Sequence, residues 1–163
     1  DGENIMLDAS STAVAIAKMI KSKKDLTVIT NSLEIALELI EAPGCNVIST
    51  GGLATGSSFA LVGHMTDKII RSYYVDKAII SCKGIDMYAG ITDSDERHAN
   101  NKASMFYMAK NKILAVDSTK FNKIAFAKIG DLKDISVIVT DKKPEEEWLR
   151  KLEGVGVECI FPE

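Results

Sequence analysis

The sequence has few of the residues that build disulfide-stabilised or metal-bound folds. It contains three cysteines and three prolines in 163 residues, and aromatic residues make up only 6%. Cys45, Cys82 and Cys159 are odd in number and far apart, and no Cys-x-x-Cys or Cys–His pair accompanies them. This pattern excludes a disulfide framework and argues against zinc. We therefore expect buried free thiols, a reducing cytoplasmic environment and no metal ion.

An excess of positive charge and long apolar runs are also missing. Lys and Arg number 20 against 23 Asp and Glu, which gives a net charge of −3. Because a nucleic-acid-binding surface needs a footprint rich in Lys and Arg, we do not expect this segment itself to bind DNA. No apolar run approaches the ~20 residues that span a bilayer, and no signal-peptide pattern is present. The sequence therefore predicts no membrane contact.

Motifs for nucleotides and for nucleophilic catalysis are absent too. The glycines form neither G-x-G-x-x-G nor G-x-x-x-x-G-K-[ST], which disfavours a dinucleotide or a nucleoside triphosphate, and no cofactor is expected. His64 and His98 lie far apart without a nearby Ser or Cys motif, so no catalytic dyad is predicted. Asp93, Asp95 and Glu96 lack the spacing of a calcium loop and are interpreted as a solvated loop.

What remains is a composition typical of one globular domain, with 46% hydrophobic and 26% charged residues. Seven short apolar runs predict buried strands: Asn4–Leu7, Leu26–Ile29, Asn46–Ile48, Lys77–Ile80, Ile113–Val116, Ile135–Val139 and Val157–Phe161. Four segments show helical spacing: Ala13–Ile20, Ser32–Ile40, His98–Lys110 and Pro144–Leu152. This alternation predicts an α/β fold, a Rossmann-like three-layer sandwich whose sheet is mostly parallel.

Finer expectations concern the helix faces and the segments between the main elements. In the second helix, Leu33, Ala36, Leu37 and Ile40 share the predicted apolar face, and in the third helix Ala99, Ala103, Phe106 and Tyr107 do so. The glycine- and serine-rich stretch 51–63 is interpreted as a mobile loop near a site. The polar stretch 84–97 is interpreted as a similar turn-rich connection.

Small polar and charged residues follow six of the predicted strands. These segments are Asp8–Thr12, Thr30–Ser32, Ser49–Gly52, Ser81–Gly84, Asp117–Lys120 and Thr140–Asp141. The carboxyl ends of parallel strands meet at one edge of a sheet, and this edge is where open α/β folds bind ligands. The sequence therefore predicts one polar binding cleft at that edge.

The chemistry of these segments suits a phosphorylated sugar or polyol. Ser10, Ser11 and Thr12 stand at a helix start, where free N–H groups and the helix dipole favour an anion, although plain helix capping is the alternative interpretation. Gly51 and Gly52 permit close backbone approach. The candidate cations are Lys83, Lys102 and Lys120, and the candidate acceptors for sugar hydroxyls are Asp8, Asp86 and Asp117.

The order of these motifs resembles the C-terminal sensor domain of the DeoR family of bacterial repressors. The resemblance rests on Asp8-x-Ser-Ser-Thr12, Thr30-Asn31-Ser32, Gly51-Gly52, Lys83-Gly84-Ile85-Asp86 and Val116–Phe121, with Thr140-Asp141 before the last helix. It implies a fold similar to ribose-5-phosphate isomerase and CoA-transferase subunits. It also implies a phosphorylated inducer, binding of operator DNA through an N-terminal winged helix-turn-helix absent here, and a homo-oligomer (dimer or tetramer). The start at Asp1, without a methionine, fits such an excised domain.

Carried over by position, the resemblance assigns the ligand contacts residue by residue. The phosphate pocket would use Ser10, Ser11, Thr12 and Lys120. The remaining contacts would come from Asp8, Thr30, Asn31, Gly51, Gly52, Lys83, Gly84, Asp86, Lys102 and Asp117.

The resemblance also bears on catalysis. The isomerase has a catalytic glutamate just before the lysine matched to Lys102, whereas Asn100 and Asn101 stand there in this chain. An amide cannot act as a general base, so binding without turnover is predicted. The alternative is a sugar-phosphate isomerase or related enzyme that uses Asp86, Glu96 and Lys102.

Overall fold

A seven-stranded parallel sheet forms the centre of the molecule. The structure, a computed structural model, describes residues 1–162. The elements in chain order are β1 (Asn4–Leu7), α1 (Ser11–Ile20), β2 (Leu26–Thr30), α2 (Leu33–Leu39), β3 (Cys45–Ser49), β4 (Leu53–Thr55), β5 (Ala60–Val62), α3 (His64–Ile70), β6 (Val75–Ile80), β7 (Gly84–Asp86), β8 (Gly90–Asp93), α4 (Glu96–Tyr107), β9 (Ala109–Ala115), β10 (Ala127–Gly130), β11 (Val137–Val139), α5 (Glu146–Gly154) and β12 (Glu158–Ile160). Short 3₁₀ turns cover Ser118–Lys120 and Leu132–Asp134.

The strand order of this sheet is β12-β11-β9-β6-β1-β2-β3. From β1 the chain builds outward through β2 to β3, then returns to the other side of β1 and builds outward again from β6 to β12. The direction of winding therefore changes between β1 and β6. In open α/β sheets a crevice forms at such a switch point, outside the carboxyl ends of the strands.

The predicted α/β class and the mostly parallel sheet are confirmed. Each of the seven apolar runs corresponds to one strand of the central sheet, with ends shifted by a few residues. Continuous apolar runs are typical of parallel strands buried on both faces, which is why the sequence signal was strong. The fourth predicted helix begins later than expected, since Glu145 is the N-cap of α5 and Pro144 precedes it.

Alternating side chains of β1 pack into two separate hydrophobic cores. Ile5 and Leu7 pack with α1 and α2 on one face, while Met6 joins the larger core on the other face. The larger core contains Trp148, which is almost fully buried and packs edge-on against Phe121 with ring centroids 5.0 Å apart. Helices on both faces complete the three layers.

The predicted face of α2 was wrong. Ile35 and Leu39 are buried, whereas Leu37 and Ile40 are exposed. This helix carries apolar residues around most of its circumference, so spacing alone did not show which side meets the sheet.

The predicted face of α4 was partly wrong. Ala99 and Phe106 are buried, but Tyr107 is exposed and the Arg71 guanidinium lies over its ring at 5.6 Å. Tyr107 is the last residue of α4, and it packs against a charged side chain instead of the core.

Two segments interpreted as loops contain regular structure. The stretch 51–63 includes the hairpin β4–β5, which forms a small antiparallel sheet of its own. The stretch 84–97 includes β7 and β8, which form a second antiparallel sheet with β10. Strands of three or four residues give almost no periodic signal. The helix α3, with seven residues, is also too short to establish a helical period and was missed.

The three cysteines are free thiols. Cys82 is buried and burial raises its pKa to about 12, but Cys45 and Cys159 are only half-buried. The expectation of burial therefore holds for one of the three. Among residues 1–162, none of the helices combines the length and apolar character required to cross a membrane.

Candidate functional site

A cleft of about 630 Å³ opens at the switch point between β1 and β6. Its walls come from the end of β1 and start of α1, the end of β6, the tip of the β4–β5 hairpin, and the β8–α4 junction. The lining residues are Ala9, Ser10, Ser11, Val14, Glu34, Thr55, Ser57, Ser58, Phe59, Ser81, Cys82, Lys83, Asp93, Ser94, Asp95, Arg97, His98 and Lys102. The cleft is therefore lined mainly by hydroxyl-bearing and charged side chains.

The floor of the cleft is a buried ion cluster around Lys102. Its Nζ lies 2.6 Å from Asp93 Oδ2 and 3.2 Å from Asp8 Oδ2, and it donates to the carbonyl of Ser81 at 2.9 Å. Burial acts to lower the pKa of Lys102, but the two carboxylates outweigh it and raise that pKa above its ordinary value. An ammonium has three protons, and these three acceptors use them all. Lys102 thus braces the site and has no proton left for a ligand.

Asp8 connects this cluster to the mouth of the cleft. Its Oδ2 accepts the N–H of Ser81 at 3.0 Å, and its Oδ1 accepts the hydroxyl of Ser10 at 2.5 Å. Ser10 in turn caps α1 by accepting the N–H of Ala13 at 3.1 Å. One carboxylate therefore fixes the ends of β1 and β6 and the start of α1 relative to one another.

The first turn of α1 presents unused donors. Within residues 1–162, no protein acceptor takes the backbone N–H of Ser11 or of Thr12. Ser11 itself lines the cleft. Free N–H groups and the positive end of the helix dipole favour an anion at this position.

The lining cations differ in how far they are already neutralised. Arg97 holds Asp95 through two contacts, at 2.8 and 3.2 Å, and its guanidinium keeps the pKa of Asp95 well below the usual value. Lys102 is paired as described above. Lys83 makes no ion pair within the described part of the chain, and its side chain is exposed at the cleft. It is therefore the lining cation best able to bind an incoming anion.

The wall opposite α1 comes from α4 and the β4–β5 hairpin. Asp95 caps α4, accepting the N–H groups of Arg97 and His98, and this turn places the half-buried His98 ring in the cleft. Nε2 of His98 lies 3.4 Å from Oγ of Ser58 at the hairpin tip. The base of the hairpin is held by Asn31, whose carbonyl accepts the N–H of Leu61 at 2.7 Å.

Of the predicted ligand residues, the structure brings four to the cleft wall: Ser10, Ser11, Lys83 and Lys102. Asp8 lies directly beneath them. Thr12 stands in the first turn of α1 but is not among the lining residues. The other predicted residues lie outside the lining.

Predicted residues around the hairpin are used in local structure. The Thr30 hydroxyl donates to the carbonyl of Leu7 at 2.8 Å and accepts the N–H of Ser32. Asn31 donates from Nδ2 to the carbonyl of Leu61. Gly51 and Gly52, both with positive φ, form the turn that leads into β4.

Predicted residues in β7 and after β9 also have local partners. Asp86 accepts the N–H groups of Tyr88 and Ala89 in the β7–β8 turn. Asp117 caps the following 3₁₀ turn, and its Oδ2 lies 3.8 Å from Nζ of Lys120. Gly84 packs so closely on the chain at Lys123 that a Cβ would lie 2.4 Å from its carbonyl oxygen.

Sequence reasoning missed several lining residues. Asp93 was interpreted as part of a solvated loop, but it is buried in β8 beside Lys102. Ser58 and His98 are 40 residues apart and meet only because the hairpin folds over α4. Asp93 ends β8 and Lys102 lies within the following helix α4. This short separation of nine residues in sequence was the local signal for the Asp93–Lys102 ion pair. In residues 1–162, no group of three or more His, Cys, Asp or Glu side chains is arranged to hold a metal ion.

The fold and the cleft define a Rossmann-like α/β domain with a polar cleft at its switch point. The family model of the DeoR C-terminal sensor domain matches residues 1–142, so the chain belongs to that family. The predicted resemblance to this sensor domain is therefore confirmed. Residues beyond 142 form α5 and the edge strand β12.

Relatives agree with this assignment. The chain is 38% identical over 156 residues to the HTH-type transcriptional regulator YulB of Bacillus subtilis, covering 96% of this chain and 60% of the relative. It is 34% identical over 163 residues to the HTH-type transcriptional repressor GlcR of the same species, covering 100% of this chain and 62% of the relative. The chain therefore spans about 60% of the length of these relatives.

Solved structures support the fold alone, because their sequence identity is low. Ribose 5-phosphate isomerase A of Methanocaldococcus jannaschii superposes with a TM-score of 0.51 at 16% identity, covering 74% of this chain and 47% of the isomerase. RipA of Yersinia pestis gives a TM-score of 0.54 at 16% identity, covering 85% of this chain and 41% of RipA. The predicted likeness to the isomerase fold is confirmed.

Proposed function

We propose that the switch-point cleft binds a phosphorylated sugar or polyol and that this ligand is the effector of the regulator. The observation that carries the proposal is that Lys83 and Ser11 line one cleft at the first turn of α1, where the N–H groups of Ser11 and Thr12 are unused. A phosphate group offers several strong acceptor oxygens and a negative charge, and these donors match it.

The rest of the cleft suits the polyol part of such a ligand. Its volume of about 630 Å³ falls in the range typical of small-molecule sites. The hairpin tip contributes the hydroxyls of Ser57 and Ser58, which can hydrogen-bond to sugar hydroxyls, while the Thr55 hydroxyl donates to the carbonyl of Ala60 and can only accept. The buried Asp8–Lys102–Asp93 cluster keeps the cleft in shape before a ligand enters.

The proposal extends to the longer protein. We infer that this cytoplasmic regulator binds operator DNA through an N-terminal winged helix-turn-helix, because the matched relatives are HTH-type regulators about 60% covered by this chain. The ligand would act by binding two states of the regulator with different affinity, since equal affinity for both would change nothing. A homo-oligomer, dimer or tetramer, is part of the same proposal.

Calorimetry with a panel of small ligands tests the proposal. The panel contains glucose 6-phosphate, fructose 6-phosphate, ribose 5-phosphate and glycerol 3-phosphate, each with its unphosphorylated parent. We expect at least one phosphorylated member to bind saturably and without being consumed, and its parent to bind far more weakly. Lys83→Met should weaken that binding about 10- to 100-fold, the range for loss of a charge-assisted hydrogen bond.

A matched control is available on the surface. Lys110→Met removes an exposed lysine outside the cleft and should leave the affinity unchanged. The proposal fails if no phosphorylated member binds, or if the parent sugars bind as tightly as their phosphates.

A further inference from the structure

Two uncharged groups from different elements face each other across the cleft. His98 comes from the first turn of α4, and Ser58 comes from the tip of the β4–β5 hairpin. Their side chains approach to 3.4 Å between Nε2 and Oγ. Both residues line the cleft that also contains Lys83 and the start of α1.

The surroundings of His98 keep the ring uncharged. Burial and the Lys102 ammonium lower the pKa of His98 below its usual value. The nearby carboxylates already have partners, since Asp93 pairs with Lys102 and Asp95 pairs with Arg97. The hairpin tip, Thr55–Phe59, carries no charged side chain. A neutral imidazole offers one donor and one acceptor nitrogen, as a hydroxyl partner requires.

The contact between them is long. Nitrogen–oxygen hydrogen bonds usually measure about 2.9–3.0 Å, so a separation of 3.4 Å makes a weak one. The Thr55 hydroxyl donates to the carbonyl of Ala60 and lies 3.0 Å from Ser58 Oγ, so Ser58 donates to Thr55 and keeps its acceptor capacity for a ligand. A ligand hydroxyl beside this pair can replace the weak contact with two shorter bonds, by accepting from Nε2–H of His98 and donating to Oγ of Ser58. A charged group gains less here, because neither partner carries a compensating charge.

We propose that Ser58 and His98 are specificity-determining residues that together recognise one hydroxyl of the bound polyol phosphate. The inference rests on the proposed function, because it assumes that the phosphate is bound by Lys83 and α1. It divides the cleft into a phosphate end, which gives affinity for any phosphorylated ligand, and a hydroxyl end, which distinguishes one polyol from another.

The test separates the two ends by using inorganic phosphate and the sugar phosphates as different probes. In calorimetry, Ser58→Ala and His98→Phe should each reduce the affinity for the tightest-binding sugar phosphate of the panel about 5- to 50-fold, as loss of a partner for a buried polar group does. Their affinity for inorganic phosphate should change less than about twofold. Lys83→Met should instead weaken both probes.

Conservative variants and a double mutant distinguish recognition from a structural role. His98→Gln and Ser58→Thr keep a hydrogen-bonding group and should retain most of the affinity, while His64→Phe, at an exposed histidine, should have no effect. The Ser58→Ala/His98→Phe double variant should lose less than the product of the single losses, because both act on one hydroxyl.

Each outcome decides between the two claims. If the panel binds but Ser58→Ala and His98→Phe leave its affinities and their ranking unchanged, the specificity role is overturned and the proposed function stands. The specificity role is also overturned if these variants reduce the affinity for inorganic phosphate as much as the affinity for the sugar phosphate. If nothing in the panel binds, the proposed function fails and the specificity role fails with it.

Discussion

Lys102 and Asp93 form a buried ion pair at 2.6 Å, nine residues apart in sequence and on consecutive elements of the chain. Asp8 joins them from β1, so two carboxylates share one ammonium. Because Lys102 also holds the carbonyl of Ser81, this single side chain ties together the ends of β1, β6 and β8. The cleft is therefore shaped by charges that have been removed from water, and its geometry depends on their staying paired.

The first prediction concerns this pairing. Lys102→Met should lower the free energy of unfolding by about 3–5 kcal/mol, because it leaves two buried carboxylates without a counter-charge. Urea denaturation followed by circular dichroism measures the change. Lys83→Met is the matched control, since it removes an exposed lysine of the same cleft, and it should change stability by no more than about 0.5 kcal/mol. Equal stabilities of the two variants would contradict the bracing role of Lys102.

A second prediction concerns pH. Burial lowers the pKa of His98 from its ordinary value of 6.5, so the folded protein binds a proton at this ring less readily than the unfolded chain does. The unfolded state then holds more protons as the pH falls through 6.5, and the free energy of unfolding should decrease until the folded pKa is passed. Stability at higher pH is unaffected by this group.

Denaturation at a series of pH values between about 5 and 8, a range chosen to bracket the ordinary pKa, measures this slope. His98→Gln should remove the contribution of this ring and flatten the profile. His64→Gln removes an exposed histidine and should retain the slope of the native protein. A profile for His98→Gln that matches the native one would show that His98 does not supply the effect.

A third prediction concerns the turn into the hairpin. Gly52 has φ of +120°, and a Cβ there would lie 2.1 Å from Thr66 Oγ1 and 2.9 Å from the carbonyl of Val62. Gly52→Ala should therefore destabilise the protein by more than about 1 kcal/mol, through backbone strain and steric clash together. Gly56→Ala, at the hairpin tip with open space around it, is the control and should be close to neutral in thermal denaturation. A tolerated Gly52→Ala would contradict the described turn.

The central sheet was predictable because each of its strands has an apolar run, and inner strands such as β1 and β2 are buried on both faces. Runs such as Lys77–Ile80 and Ile113–Val116 carry enough apolar residues to be found without structural information. The small strands β4, β5, β7 and β8 were not predictable, since three or four residues cannot establish a period. Helix position was found for α2 but its buried face was not, because Leu37 and Ile40 look as apolar as Ile35 and Leu39.

Some residues of the candidate site could likewise be predicted from the sequence, and others could not. Ser10, Ser11 and Lys83 follow directly after strands of the parallel sheet, so the rule that strand ends share an edge was enough to find them. Ser58 and His98 reach the cleft through an inserted hairpin and through the cap of α4, and both depend on tertiary folding. The strand order was also required, because only the change of direction between β1 and β6 shows which strand ends form the crevice.

The last prediction separates capping from anion binding at α1. Ser10 and Ser32 are equivalent N-caps: each accepts a backbone N–H three residues on, from Ala13 at 3.1 Å and from Ile35 at 3.2 Å. Ser10→Ala and Ser32→Ala should therefore each cost about 1 kcal/mol of stability, as loss of a helix cap does.

Their effects on ligand binding should differ. Ser10 lines the cleft and is positioned by Asp8, whereas Ser32 is buried outside the lining residues. Ser10→Ala should also reduce the affinity for inorganic phosphate and for the sugar phosphates in calorimetry, because it removes the link between Asp8 and the first turn of α1. Ser32→Ala should leave both affinities unchanged. If both variants lose stability and neither loses affinity, Ser10 acts only as an ordinary helix cap, and its link to Asp8 is not needed to hold the first turn of α1 in place for the phosphate.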